Sequence, residues 1–190
     1  MKQINTFISN RRRFLLAAGS VGLTTSIAAL TPSRADAPEP NDDQTIAPKQ
    51  APGFENLSTQ EWRKLSPDQW RERLPAASFR VLRLEDTERA FTSALYDETR
   101  EGWYACAGCG LVLFSSSHKY DSGTGWPSFF DIVPGRVATK TDYKLIYPRR
   151  EYHCARCLGH QGHVFKDGPK PTGQRWCNNG DALIFTQEAA

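Results

Sequence analysis

The chain has 190 residues, 39% of them hydrophobic and 24% charged, which suits one globular domain with a full core and excludes wholesale disorder. Its formal charge is +3, but the first 35 residues hold five of the 24 basic residues (Lys2, Arg11, Arg12, Arg13 and Arg34) and none of the 21 acidic ones. The remainder carries 19 basic against 21 acidic residues, a net of −2, which removes the electrostatic case for binding nucleic acid.

The N-terminus reads as an address. Asn10-Arg-Arg-Arg-Phe-Leu-Leu16 opens a moderately apolar run from Phe14 to Leu30, followed by Thr31-Pro-Ser-Arg-Ala-Asp-Ala37. A basic start, a short apolar stretch broken by Gly19 and Gly22, and small residues after it describe a signal peptide over residues 1–35. Arg11-Arg12-x-Phe14-Leu15 resembles a twin-arginine signal. The competing reading is a membrane anchor, but the run is 17 residues long and contains Ser20, Thr24, Thr25 and Ser26. A spanning helix needs about 20 apolar residues. Cleavage after Ala35 fits the small Ser33 and Ala35, whereas a cut after Ala37 would fall beside Pro38. The expectation is a periplasmic protein with no membrane association after cleavage. Residues 36–56, rich in Pro, Asp, Gln and Ala, read as a flexible linker that leaves residues 57–190 as the domain.

Order is expected to begin with short helices. Ser58-Thr-Gln-Glu61 is a capping-box pattern, and Ser66-Pro67-Asp68-Gln69 is a second with proline at the first helical position. Leu57, Trp62, Leu65, Trp70 and Leu74 supply apolar anchors, and Pro75 opens a third helix through Phe79, Val81 and Leu82. These helices pack on the core and carry no chemistry.

From Gly102 the pattern turns to strands. Trp103-Tyr104-Ala105-Cys106 and Leu111-Val-Leu-Phe114 flank Cys106-Ala-Gly-Cys109-Gly110. Lys144-Leu-Ile-Tyr147 and Glu151-Tyr-His-Cys154 lead into Cys154-Ala-Arg-Cys157-Leu-Gly159. Two CxxC pairs at tight turns predict one tetrahedral thiolate site, held by Cys106, Cys109, Cys154 and Cys157. Zinc suits four soft thiolates best, with iron the chemical competitor and a pair of disulfides the alternative without metal.

The fifth cysteine, Cys177, is left without a partner. It lies in Gly173-Gln-Arg-Trp-Cys177-Asn-Asn-Gly-Asp-Ala-Leu-Ile-Phe185, close to Arg175, and is either an inert packed thiol or a nucleophile. Gln174 to Asn178 and Asp181 to Phe185 read as strands, and Asn179-Gly180 predicts a hairpin turn between them. Tyr120-Asp-Ser-Gly-Thr-Gly-Trp126-Pro-Ser-Phe129-Phe130 has too many glycines and hydroxyls for a regular element, and its Trp126 is for packing or for binding. His160 and His163, near a predicted strand, are open to three readings: a second metal site, surface histidines, or proton donors to a substrate oxygen.

Together these residues resemble the methionine-R-sulfoxide reductase family, B type. The resemblance runs from about Trp70 to Phe185, and its motifs are Thr87-Glu88, Tyr104-Ala-Cys106-Ala-Gly-Cys109-Gly110, Phe114-Ser-Ser, Asp121-Ser-Gly-Thr-Gly-Trp126-Pro-Ser-Phe129, Cys154-Ala-Arg-Cys157, Gly162-His163-Val-Phe165, Asp167-Gly-Pro, Pro171-Thr-Gly173 and Arg175-x-Cys177-x-Asn179. The resemblance implies a mainly β fold: two antiparallel β-sheets around a zinc-stapled core, with short N-terminal helices and one structural zinc per chain. It implies that Cys177 attacks the sulfoxide sulfur and becomes a sulfenic acid, that His163 helps protonate the sulfoxide oxygen with His160 beside it, and that Trp126 receives the substrate methyl group. Arg175 and Asn179 match polar groups around the nucleophile. The expected partners are oxidised protein substrates and a thioredoxin-like reductant, and the chain is expected to be a monomer. The family usually has tyrosine before the nucleophile and serine after the asparagine, where this chain has Trp176 and Gly180. Many relatives also carry a separate resolving cysteine, which this chain lacks once the metal cysteines are assigned. The alternative function is a zinc-ribbon-type binding module without catalysis, which gives Cys177 no role.

Overall fold

The computed structural model describes residues 56–144 and 147–187. The expected export signal and all of the expected linker but residue 56 lie outside them. Both capping boxes form. Ser58 caps α1 (Thr59–Lys64) with Glu61 returning the bond, and Ser66 caps α2 (Pro67–Arg73) with Gln69. Each box satisfies two backbone donors that a helix start leaves orphaned. The third helix, α3 (Ala76–Leu84), starts after Pro75 and ends where Glu85 turns left-handed at φ 57°. Trp62 and Trp70 stack at 5.7 Å between ring centres, and Phe79, Val81 and Leu82 bury the inner face of α3. No described helix is long and apolar enough to cross a membrane.

Two antiparallel sheets follow, as expected. β1 (Gly102–Cys106), β2 (Val112–Ser115) and β9 (Leu183–Gln187) form the smaller one, in the order β2-β1-β9. The larger one runs β3-β4-β8-β7-β6-β5. Its strands are β3 (Lys119–Tyr120), β4 (Ser128–Phe129), β5 (Val137–Asp142), β6 (Arg149–Cys154), β7 (His160–Phe165) and β8 (Arg175–Asn178). Aromatic side chains fill the space between the sheets. Phe114 of β2 stacks on Phe129 of β4 at 4.1 Å, and Tyr104 of β1 meets Phe129 edge-on at 4.9 Å. Offset stacks and edge contacts of this kind add to what burial alone contributes.

Three expectations change. The glycine-rich segment from Tyr120 to Phe130 is irregular in its middle, but its ends pair as β3 and β4. Lys144 and Tyr147 lie outside the strands, while residues 145 and 146 are not described; β6 pairs with β5 on one side and β7 on the other. Most consequentially, Asn179-Gly180 does not turn a hairpin. β8 belongs to the larger sheet and β9 to the smaller one, so the chain crosses between sheets here. The two-residue turn that Asn-Gly favours needs positive φ at both positions, and Asn179 has φ −74°. Tertiary bonds hold it there: the Asn179 N–H donates to the Gln161 carbonyl at 2.9 Å. The N–H groups of Gly180 and Asp181 donate to the Glu88 carboxylate at 2.7 and 2.8 Å.

One glycine sets how closely β7 and β8 approach. A Cβ at Gly162 would lie 1.9 Å from the Cys177 carbonyl oxygen, a backbone atom that cannot step aside. Gly162→Ala is therefore expected to lower stability by at least the roughly 1–3 kcal/mol of an overpacked core. Thermal unfolding checks this, and a melting temperature equal to wild type would contradict the packing described.

Candidate active site

Along β8 the side chains alternate. Trp176 and Asn178 are buried, while Arg175 and Cys177 are half-buried on the other face. Trp176 packs edge-on against Tyr152 at 5.0 Å, so the residue before the thiol is a core residue and tolerates the larger ring. Cys177 stands opposite Ser128 on β4 and opposite His163 on β7. Directly opposed residues on neighbouring strands share a face of the sheet. The strand pairing thus brings the lone thiol and His163 together, from positions 14 apart in the sequence.

Both open onto a cavity of about 120 Å³, lined among others by Thr87, Trp126, Arg149 and Phe165. Two wider clefts, of about 360 and 380 Å³, contain neither a thiol nor a histidine. The Trp126 indole N–H donates to the Glu88 carbonyl at 3.1 Å, which fixes the ring as one wall. Asn179 lines the cavity with its amide already engaged: Nδ2 donates to the Gln161 carbonyl at 3.0 Å, and Oδ1 accepts the Glu88 N–H at 3.1 Å. At Gly180 a side chain would run into Ser93, whose Oγ lies 1.8 Å from where a Cβ would be. Ser93 occupies the space that a serine at position 180 would need.

His160 takes a different place. It is 3% exposed and is not among the cavity-lining residues. Its ring centre is 5.6 Å from that of His163, and its Nδ1 lies 2.9 Å from Glu151 Oε1 without the alignment of a hydrogen bond. Arg175 lies beside the thiol but directs its guanidinium at Asp167, with two bonds of 2.9 Å, and stacks over Phe165 at 4.3 Å.

The electrostatics follow from burial. Desolvation pushes the Cys177 thiol above its ordinary value, against the opposing pull of Arg175, Thr124 and Ser128. The charge of Arg175 favours the thiolate, and burial outweighs it. Burial also lowers the pKa of His163; Asp142 opposes that shift, and Arg149 and His160 add to it. Asp142 and Arg149 are site residues that the sequence reading missed. They sit on β5 and β6, and only strand pairing brings them to His163.

The four CxxC cysteines come together as predicted. Their sulfurs lie within 4.8 Å of one another, all buried, and no disulfide links them. The short contacts run between the two motifs, Cys106 to Cys157 at 3.7 Å and Cys109 to Cys154 at 3.5 Å. A tetrahedral zinc with Zn–S near 2.3 Å separates its sulfurs by about 3.8 Å, so the four thiols fit the metal. The Gln161 Nε2 donates to Cys106 Sγ at 3.2 Å, as does the Gly108 N–H at 3.4 Å. Such donors to a thiolate support the ligand set. His160 and His163 belong to no described group of metal-ligating atoms.

Comparison with known proteins agrees with this geometry. The family model described as the SelR domain matches residues 74–187. The "Peptide methionine sulfoxide reductase MsrB" of Leptospira interrogans is 48% identical over 124 residues, covering 65% of this chain and 95% of the relative. That of Thiobacillus denitrificans is 50% identical over 118 residues, covering 62% and 89%. The "Peptide methionine sulfoxide reductase B1, chloroplastic" of Arabidopsis thaliana is 46% identical over 124 residues, covering 65% and 61%. With more than half its length matched by that model and most of the bacterial relatives' length aligned to it, the chain belongs to the SelR-domain, or MsrB, family.

Proposed function

We propose that this enzyme is a peptide methionine-R-sulfoxide reductase that restores methionine residues in oxidised proteins. The observation that carries the reading is the juxtaposition of one lone thiol and one histidine, directly opposed on β8 and β7, in a cavity walled by a fixed tryptophan. Membership of the family supports methionine sulfoxide as the substrate; the R epimer, the sulfenic acid and the reductant are the finer part of the proposal.

In this reaction the substrate methyl group rests on the Trp126 indole. The Cys177 thiolate attacks the sulfoxide sulfur while His163 gives a proton to the sulfoxide oxygen. The hydroxyl then passes from the methionine sulfur to Cys177: the S–S bond just formed and the methionine S–O bond break, a Cys177 S–O bond forms, methionine leaves, and Cys177 is left as its sulfenic acid. The substrate gains two electrons and Cys177 loses them. An external thiol then forms a disulfide with Cys177 and releases water, and a second thiol frees Cys177 and departs in a disulfide with the first. The chain's other four cysteines form the buried cluster, so both thiols come from outside, as a thioredoxin-like domain supplies them. Zinc, one per chain on Cys106, Cys109, Cys154 and Cys157, supplies a structural cross-link and no reacting group. Export through the twin-arginine signal places the reaction in the periplasm.

The resting protonation states shape the first step. Cys177 holds its proton and His163 is reluctant to take one. Moving the thiol proton to His163 creates the nucleophile and the acid in a single transfer.

Three outcomes test this reading. With dithiothreitol as reductant, the wild type is expected to reduce the R epimer of a methionine sulfoxide peptide and leave the S epimer, and Cys177→Ser to lose the activity; equal turnover of both epimers would overturn the assignment. With one equivalent of sulfoxide and no reductant, intact mass should rise by one oxygen with zinc retained. A loss of two hydrogens with release of zinc would identify a cluster cysteine as the resolving thiol. Alkylation of Cys177 by iodoacetamide should still be climbing as pH rises past 9, because burial lifts the thiol above its ordinary value of 9.0. Arg175→Ala removes a group that favours the thiolate and should move that rise to higher pH, whereas a wild-type plateau below pH 8 would contradict the burial argument.

A further inference from the structure

Asp142 ends β5 and has no part in the reaction proposed for Cys177 and His163. Its side chain is only 4% exposed, yet it gathers three donors. Oδ1 accepts the Lys144 N–H at 2.8 Å. Oδ2 lies 2.7 Å from Nη2 of Arg149 and 2.8 Å from Nε2 of His163. Led by the Lys144 N–H, these contacts hold the carboxyl well below the usual carboxylate range, so it is an anion at neutral pH.

An anion can only accept. A neutral imidazole whose Nε2 faces that oxygen at 2.8 Å must carry its single proton on Nε2, because the other tautomer would set lone pair against lone pair. Nε2 is then occupied whether the ring is neutral or charged. The second proton, the one that comes and goes, has only Nδ1 left to use.

We propose that Asp142, braced by Arg149, is a positioning residue that fixes His163 as its Nε2–H tautomer, so that the proton exchanged in the reaction travels through Nδ1. The proposal rests on the reductase reading and names which atom of His163 serves it. Nδ1 accepts the Cys177 proton, the Nδ1–H is then given to the sulfoxide oxygen, and Nε2–H stays on Asp142 throughout. The charged and titratable groups around the ring are Asp142 on β5, Arg149 and the cross-strand Glu151 on β6, His160 on β7 and Cys177 on β8.

The tautomer is measured directly by long-range ¹H–¹⁵N correlation of histidine-labelled protein above the pKa of His163. The wild type is expected to show Nε2–H at His163, and a wild-type Nδ1–H signature would overturn the proposal. Arg149→Met removes the ion pair but keeps the carboxylate at Nε2, so it should keep the wild-type tautomer. Asp142→Asn replaces the obligate acceptor with an amide able to donate to Nε2. It should lose the Nε2–H preference, and kcat with dithiothreitol should fall by roughly 10²-fold or more, with KM within about twofold. The limb of the pH profile that follows loss of the His163 proton should also move to lower pH, because a neighbour that favours the imidazolium is gone. A folded Asp142→Asn protein with wild-type kcat and pH profile would refute the positioning role. If Asp142→Asn fails to fold, the wild-type and Arg149→Met spectra still decide the question. If the wild type reduces neither epimer, the reductase reading falls while the tautomer assignment is judged separately.

Discussion

The cluster of four buried sulfurs is the constraint on which the rest of the structure depends. Cys106 and Cys109 belong to the turn joining β1 and β2 of the smaller sheet; Cys154 and Cys157 belong to the turn joining β6 and β7 of the larger one. The short sulfur contacts join residues 51 and 45 positions apart, so a metal there closes a long loop as well as two turns. Closing such a loop in the unfolded chain is entropically unfavourable, and a cross-link formed with folding offsets that loss. The helices close over the same region. Arg63 of α1 donates to the Ala155 carbonyl at 2.7 Å and Arg83 of α3 to the Cys157 carbonyl at 3.0 Å, so the second CxxC turn is held from outside by side chains and from inside by sulfur.

From the cluster a line of buried polar groups reaches the strand that carries the thiol. Gln161 donates to Cys106 Sγ with its side chain, and its backbone carbonyl accepts from both the N–H and the Nδ2 of Asn179. Beside it, Asn178 accepts from the Tyr152 hydroxyl at 2.6 Å and donates to the Asn179 carbonyl at 2.7 Å. Unpaired, these groups would be costly in a buried setting; paired, they fix where β8 ends and the chain crosses to the other sheet. The two faces of β8 therefore divide the work. Trp176 and Asn178 face inward and set the strand's position, while Arg175 and Cys177 face the site.

What was legible in the sequence follows the range of the interactions. The capping boxes at Ser58 and Ser66, the turns at each CxxC and the isolation of Cys177 are local patterns, and each was readable. Asn179-Gly180 was misread because its local preference for a hairpin is overridden by Glu88 and Gln161, residues 92 and 18 positions away in the bonds they make. Asp142 and Arg149 were invisible for a related reason: an aspartate and an arginine seven apart look like surface charge until antiparallel pairing places them beside a histidine on the next strand. Trp126 was ambiguous in sequence, and its bond to the Glu88 carbonyl is a contact that spacing could not reveal.

Burial in this site has a consequence beyond proton affinity. A thiolate is the form of cysteine that peroxides attack, so a thiol whose pKa is pushed up by desolvation is shielded while it waits. In the proposed cycle, Cys177 has no neighbouring thiol to capture its sulfenic acid, and any oxidation outside turnover would leave it exposed to further oxidation. A resting nucleophile that is poor in bulk solvent, and becomes good only when its proton moves to an adjacent histidine, suits an enzyme of this kind. Asp142 contributes to that balance from behind His163. It raises the ring's affinity for the proton against the effects of burial, Arg149 and His160, and in the proposed cycle this brings the donor and acceptor of the first transfer closer in strength. The same desolvation that weakens the free thiol and the free imidazole strengthens the interaction between the thiolate and imidazolium that the transfer creates.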